Sequence, residues 1–226
     1  MTSEIKKQQL QILLSEFELI ARMTLTQLQI LGKLLQNSTL QPLIDEAEAN
    51  EIIIDRLEVK IREEVVFSIF KFNPVAEDLR RIIAYQDITT NLERVGDMAL
   101  NVIHYIRASD FSAPELIPAR RLVSQMLEAV NQMLRNAVGS FANQDYAAAL
   151  TVIAEDDRLD EMFHRMKTEL QQIFADRTLT VKDIERMLAL SAISHNLERC
   201  GDSATNIAEA TVFLTEGKDI RHQEGK

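Results

Sequence analysis

At 226 residues the chain can hold one large domain or two of about 110 residues each, and either size can bury a core. Its residues are 46% hydrophobic but only 5% aromatic, with no Trp, six Gly and four Pro, a composition that favours helices over strands and hairpins. The formal net charge of −10 and the pI near 5.0 argue against a nucleic-acid binder, which needs a basic face, and suit a protein that attracts cations.

In chain order, Leu10, Leu13, Leu14, Phe17, Ile20, Ala21, Leu28 and Leu31 recur at three- and four-residue steps, predicting an amphipathic helix over residues 4–36. Pro42 fits the first turn of a second helix, to about residue 71, in which Leu43, Ala47, Ile54, Leu57, Ile61 and Val65 keep the helical period. The β-branched run Ile52-Ile53-Ile54 suits a strand locally, but Glu48, Glu51, Asp55 and Glu58 around it favour helix. Asn73-Pro74 reads as the N-cap and first position of a third helix, to about residue 107. Residues 108–118 break the chain, and Ser112-x-x-Glu115 reads as a capping box opening a fourth helix, to about residue 141. A fifth helix begins at Asn143-Gln144-Asp145 and runs to about residue 176. Thr180-x-x-Asp183 caps a sixth, stopped by Gly217, and residues 217–226 form a polar, frayed tail. The expected fold is all-α, six long helices in two tandem three-helix bundles, divided as residues 1–110 and 111–226.

The division rests on a repeat. Asn91 to Asn101 reads NLERVGDMALN and Asn196 to Asn206 reads NLERCGDSATN, identical at eight of eleven positions and offset by 105 residues. At the same offset Glu51-x-x-x-Asp55 meets Asp156-x-x-x-Asp160, and Asp78 meets Asp183. On a helix, residues four apart lie on one ridge, so Glu93, Asp97 and Asn101 align, as do Glu198, Asp202 and Asn206. Leu92, Gly96 and Ala99 beside one ridge, and Leu197, Gly201 and Ala204 beside the other, should face the core, with the glycines as points of close approach. Each half then presents four carboxylates from two helices: Glu51, Asp55, Glu93 and Asp97, and Asp156, Asp160, Glu198 and Asp202. Such oxygen-rich sets suit Mg, Mn, Ca or Fe better than a thiolate-preferring metal.

A purely structural alternative stands beside this reading, in which Arg80, Arg81, Arg94 or Arg199 neutralises the acids on solvated helix faces. A carboxylate-bridged metalloenzyme is a further alternative, although no nucleophile with a base, no Gly-rich phosphate loop and no zinc-type Cys/His spacing appears. His104 and His195 lie near the ridges without counterparts in the other half, and Glu161-x-x-His164 is half of a di-iron signature lacking its second copy. Cys200, the one cysteine, reads as a packing residue; with no intrachain disulfide available, a reducing cytoplasmic location is expected. No secretory signal is read in MTSEIKKQQLQILLSEF, and no apolar run of about 18 residues could span a membrane.

With NPVAEDLRRIIA (Asn73 to Ala84), NLERVGDMALN, NLERCGDSATNIAE and the acidic pairs together, nearly the whole chain resembles the PhoU family of bacterial phosphate-uptake regulators. The resemblance implies two tandem three-helix bundles with multinuclear metal clusters, usually iron or zinc, held by Glu/Asp-x-x-x-Asp pairs. It further implies a non-enzymatic negative regulator of phosphate uptake and of the phosphate-starvation response. Such a protein links the ATPase subunit of the Pst phosphate ABC transporter to a PhoR-type sensor kinase, acts as a homodimer, and meets the membrane only through its partners. Two features depart from the family pattern. Glu51 replaces the usual Asp and keeps a carboxylate, while Met98 and Ser203 stand where His often follows the motif's Asp, removing a ligand.

Overall fold

The computed structural model describes residues 2–175, 178–217 and 220, and among these every regular element is helical. The elements are α1 (Thr2–Gln36), α2 (Gln41–Phe72), α3 (Glu77–Ala108), a 3-10 turn (Pro114–Leu116), α4 (Ile117–Asn143), α5 (Tyr146–Phe174) and α6 (Val181–Glu216). The Ile52-Ile53-Ile54 run is helical, with Ile54 buried and its two neighbours exposed. The expected tail beyond Gly217 and the far end expected for the fifth helix, near residue 176, lie largely outside the described residues.

Two helix starts differ from the sequence reading. Asn73 is the C-cap of α2 in the left-handed region, its N–H returning to the Ile69 carbonyl, so Pro74 lies in a connector and α3 begins at Glu77. Asparagine tolerates that conformation, which makes it a stop as well as a start signal. Ser112 does not cap α4. Its N–H donates to Asp110 Oδ1, forming a local turn, and Glu115 falls within the 3-10 turn. Elsewhere the caps are as expected: Asp145 accepts from the Ala148 N–H, Thr180 and Asp183 form a reciprocal capping box, and Gly217 (φ 68°) closes α6.

Within the first half, α1 is tied to its neighbours through buried side chains. Thr24 Oγ1 donates to the Leu92 carbonyl on α3, and Gln27 Nε2 to the Ala47 carbonyl on α2. The halves pack on each other chiefly through α3 and α6, with α1 against α4. Both pairings are antiparallel. Along α3 and just beyond it, Arg80, Asn91 and Asp110 meet Gly217, Asn206 and Arg186 in turn. Phe17 and Phe141 stack edge-on at 5.0 Å, and Gly32 faces Leu127. The helices therefore form two layers, α2-α3-α6-α5 side by side and α1-α4 behind them, around one continuous apolar core. The motif-bearing helices lie at the centre of the four-helix layer.

Candidate functional site

The face of α3 that carries the repeat buries Leu92, Val95, Gly96 and Ala99, which lifts Glu93 to the core edge and Asp97 and Asn101 to the surface. On α6, Leu197, Gly201 and Ala204 are likewise buried, Glu198 is half-buried and Asp202 exposed. The close approach at both glycines is made by the neighbouring helix of the same half. A Cβ on Gly96 would stand 3.1 Å from both Glu51 Oε2 and Ile54 Cδ1, and one on Gly201 would collide with Leu159 Cδ2. Ile54 and Leu159 occupy the same register in the two halves, so each glycine admits an equivalent side chain from α2 or α5.

That approach brings the acidic pairs together. Glu51 is 7% exposed, and among the described residues neither of its oxygens meets a hydrogen-bond donor. Burial first, then Asp97 opposite, then the charges of Asp55 and Glu93 push its carboxyl up to about 9. Asp97 offers only another carboxylate, so a hydrogen bond between the two requires a proton held on one of them. Glu93 is raised for the same reasons, burial first and then Asp97, Asp55 and Glu58. In the second half, burial and then Asp202 raise Asp156, with Asp160 adding to the effect. Burial, Glu198 and Asp160 raise Asp202. All eight carboxylates expected from the sequence thus fall into two clusters, one at the α2/α3 groove and one at the α5/α6 groove.

Counter-ions are scarce there. Among the described residues, neither Arg94 nor Arg199 forms an ion pair with any of the eight acids. Arg94 reaches across from α3 to lower Asp202, with Arg199 assisting, and lowers Glu93 on its own helix, in each case against a net upward push. Arg81 pairs with Glu77, and Arg80 lies against Gly217, so neither serves the clusters. Sequence reasoning missed Glu58, a buried carboxylate one turn beyond Asp55 that acts on Glu93 and pairs with Arg62. It also missed the bond across the halves in which Asn206 Nδ2 donates to Asn91 Oδ1 at 3.2 Å. The motif's asparagines at both ends were the available signal for that contact.

The remaining candidates separate. His195 Nδ1 stands 3.5 Å from Glu198 Oε2, beside the second cluster, with its ring against Phe163. His164 Nδ1 is bonded to the Asp160 carbonyl, and exposed His104 lies 3.8 Å from Glu48. Cys200 is fully buried, and burial pushes its thiol up to about 12, an inert packing residue. Among the described residues no three carboxylate, imidazole or thiolate groups already stand in ligating geometry about one point. The donor set nevertheless suits a hard cation: clustered carboxylates, of which Glu51, Glu93, Asp156 and Asp202 are raised by burial and by neighbouring acids, and among the described residues neither Glu51 oxygen meets a donor.

Comparison with known proteins adds a family. A family profile described as PhoU domain matches residues 17–106 and 123–211, once in each half. A curated relative from Aquifex aeolicus (strain VF5), named phosphate-specific transport system accessory protein PhoU homolog, is 34% identical over 184 residues, 81% of this chain and 81% of its own. A Burkholderia sp relative of the same name is 34% identical over 176 residues, covering 76% of this chain and 73% of its own. Among solved structures, PhoU from Pseudomonas aeruginosa superposes with a TM-score of 0.85 at 25% identity, covering 94% of this chain and 99% of its own. The phosphate transport system regulatory protein PhoU from Streptococcus pneumoniae shares the fold, at a TM-score of 0.80 and 18% identity over 95% of this chain and 99% of its own.

Proposed function

This chain belongs to the PhoU family of phosphate transport accessory proteins, and we propose that it restrains phosphate uptake and the phosphate-starvation response when phosphate is plentiful. In this reading it works as an adaptor between the ATPase subunit of a phosphate ABC transporter and a PhoR-type sensor kinase. It acts in the cytoplasm as a homodimer and reaches the membrane through those partners. Among the described residues no helix is long and apolar enough to cross a membrane, which suits that arrangement.

The observation that carries the proposal is the pair of register-matched carboxylate clusters flanking the α3/α6 seam. Glu51, Asp55, Glu93 and Asp97 would hold one metal group, and Asp156, Asp160, Glu198 and Asp202 the other, with iron or zinc in multinuclear form the favoured occupants and Mg or Mn the alternatives. A bound cation would add to the partial compensation that Arg94 and Arg199 give, and would hold α2 on α3 and α5 on α6. The adaptor surface is thereby set by charge compensation between neighbouring helices.

A deletion strain carrying a phosphate-regulated reporter tests the role. Wild-type protein should restore repression at high phosphate, and a variant with Glu93, Asp97, Glu198 and Asp202 all changed to Ala should restore it poorly. Full repression in the deletion strain itself would contradict the regulatory reading.

A further inference from the structure

A cavity of about 440 Å3 opens where the two halves meet, away from both carboxylate clusters. It lies among the C-terminal ends of α1 and α3, the 109–113 connector, the first turns of α4 and the first third of α6. Its size falls within the range of small-molecule sites, roughly 300–1,000 Å3. Leu34, Ile106, Leu190 and Ile193, all core residues, supply an apolar floor, and Phe111 adds an aromatic wall.

The charge at its rim is unlike that of the rest of the molecule. Arg120 and Arg121 both line the cavity, and among the described residues neither is engaged in an ion pair. Asp110, the acid that lines the same cavity, is already occupied. Asp110 takes the Ser112 N–H on Oδ1 at 2.9 Å and the Arg186 guanidinium on Oδ2 at 2.9 Å, while Arg186 Nε donates to the Asp110 carbonyl. Hydrogen bonding from Ser112, with Arg186 alongside, holds the Asp110 carboxyl down at about 2. A chain of net charge −10 therefore lines this cavity with two arginines outside any ion pair among the described residues, together with an apolar floor and Ser38, Ser109 and Ser124.

We propose that this cleft is a binding site for a small amphipathic organic anion, whose apolar body rests on the floor and whose phosphate or carboxylate head is held by Arg120 and Arg121. Guanidinium pairs recognise such heads through parallel N–H bonds, and the half-enclosed apolar floor excludes a purely inorganic ion as the best occupant. Because both halves and the connector form the walls, an occupant would brace the junction between the two repeats. The site needs no metal and stands apart from the regulatory reading above.

Fluorescence titration with 8-anilinonaphthalene-1-sulfonate, an aromatic anion, tests this on the full chain, with AMP and octanoate as competitors. Saturable binding of one probe per chain is expected, weakened about tenfold or more by Arg120→Ala/Arg121→Ala and abolished by Ser124→Phe, which fills the cavity without removing charge. Displacement by AMP identifies a phosphate-ester head and displacement by octanoate a carboxylate head. Helical circular dichroism checks that the variants are folded. Absence of saturable binding, or binding that both folded variants leave unchanged, would overturn the proposal.

Discussion

Glu51 carries the largest electrostatic penalty in the first cluster, because it is the member that burial removes from water while three other acids face it. Its raised pKa means that the folded state holds a proton the unfolded chain would release. In metal-free protein that contribution is complete below about 4.5, the ordinary value, and is lost as pH rises through about 9. Urea unfolding in the presence of a chelator should therefore show stability falling between pH 5 and pH 8, the raised Glu93, Asp156 and Asp202 acting in the same direction. At pH 8 Glu51→Gln should stabilise the metal-free protein by about 1–3 kcal/mol, since it removes the cost of keeping a proton on Glu51 that the unfolded chain would release. The same substitution should weaken cation binding. The glycines differ in what they permit. Gly201→Ala should cost about 1–3 kcal/mol because Leu159 is locked in the core, whereas Gly96→Ala meets a carboxylate and an Ile54 methyl at 3.1 Å. There the helix-propensity gain of about 1 kcal/mol should offset most of the crowding in a denaturation measurement.

Helix boundaries show which local signals are decisive. Thr180 and Asp183 bond reciprocally at the start of α6, so Thr180→Ala should lower stability by about 1 kcal/mol in thermal or urea unfolding. Helix α3 has no such cap: its N-cap is Ala76 at φ 46°, with no side-chain bond. The six helices were readable because the apolar period of Phe17, Ile54, Leu92 and Leu197 persists over many turns, and tertiary burial selects the same residues. Asn73 and Ser112 were misassigned because asparagine and serine satisfy backbone groups at either end of a helix or in a turn. The choice between these is set by where the next helix packs, which local sequence does not encode. The carboxylate clusters were readable for the converse reason. Four-residue spacing and a common offset fix faces and register, and the pairing of consecutive antiparallel helices then brings the ridges together. Arg94, by contrast, acts on Asp202 from the other half, a relation that follows only from the antiparallel α3/α6 seam.

For the whole molecule, that seam turns a tandem duplication into one body. The apolar core runs without interruption through both halves, and Phe17, Tyr85 and Phe141 interlock edge-on where α1, α3 and α4 meet. Chemical denaturation followed by far-ultraviolet circular dichroism and by tyrosine fluorescence should accordingly give coincident transitions; separate unfolding of the two repeats would show that the halves are not coupled. Tyr85 lies in this aromatic contact, while Tyr105 and Tyr146 are exposed, so the fluorescence probe reports on the junction. On this single body the two acidic clusters flank the central helix pair, and their compensation by bound cations is the claim on which the functional account turns. Metal content of protein purified without chelator, measured beside the variant with Glu93, Asp97, Glu198 and Asp202 changed to Ala, tests it most directly. The account predicts stoichiometric metal in the wild type, with at least one ion per half, and its loss in the variant. Equal, negligible metal in both would contradict it.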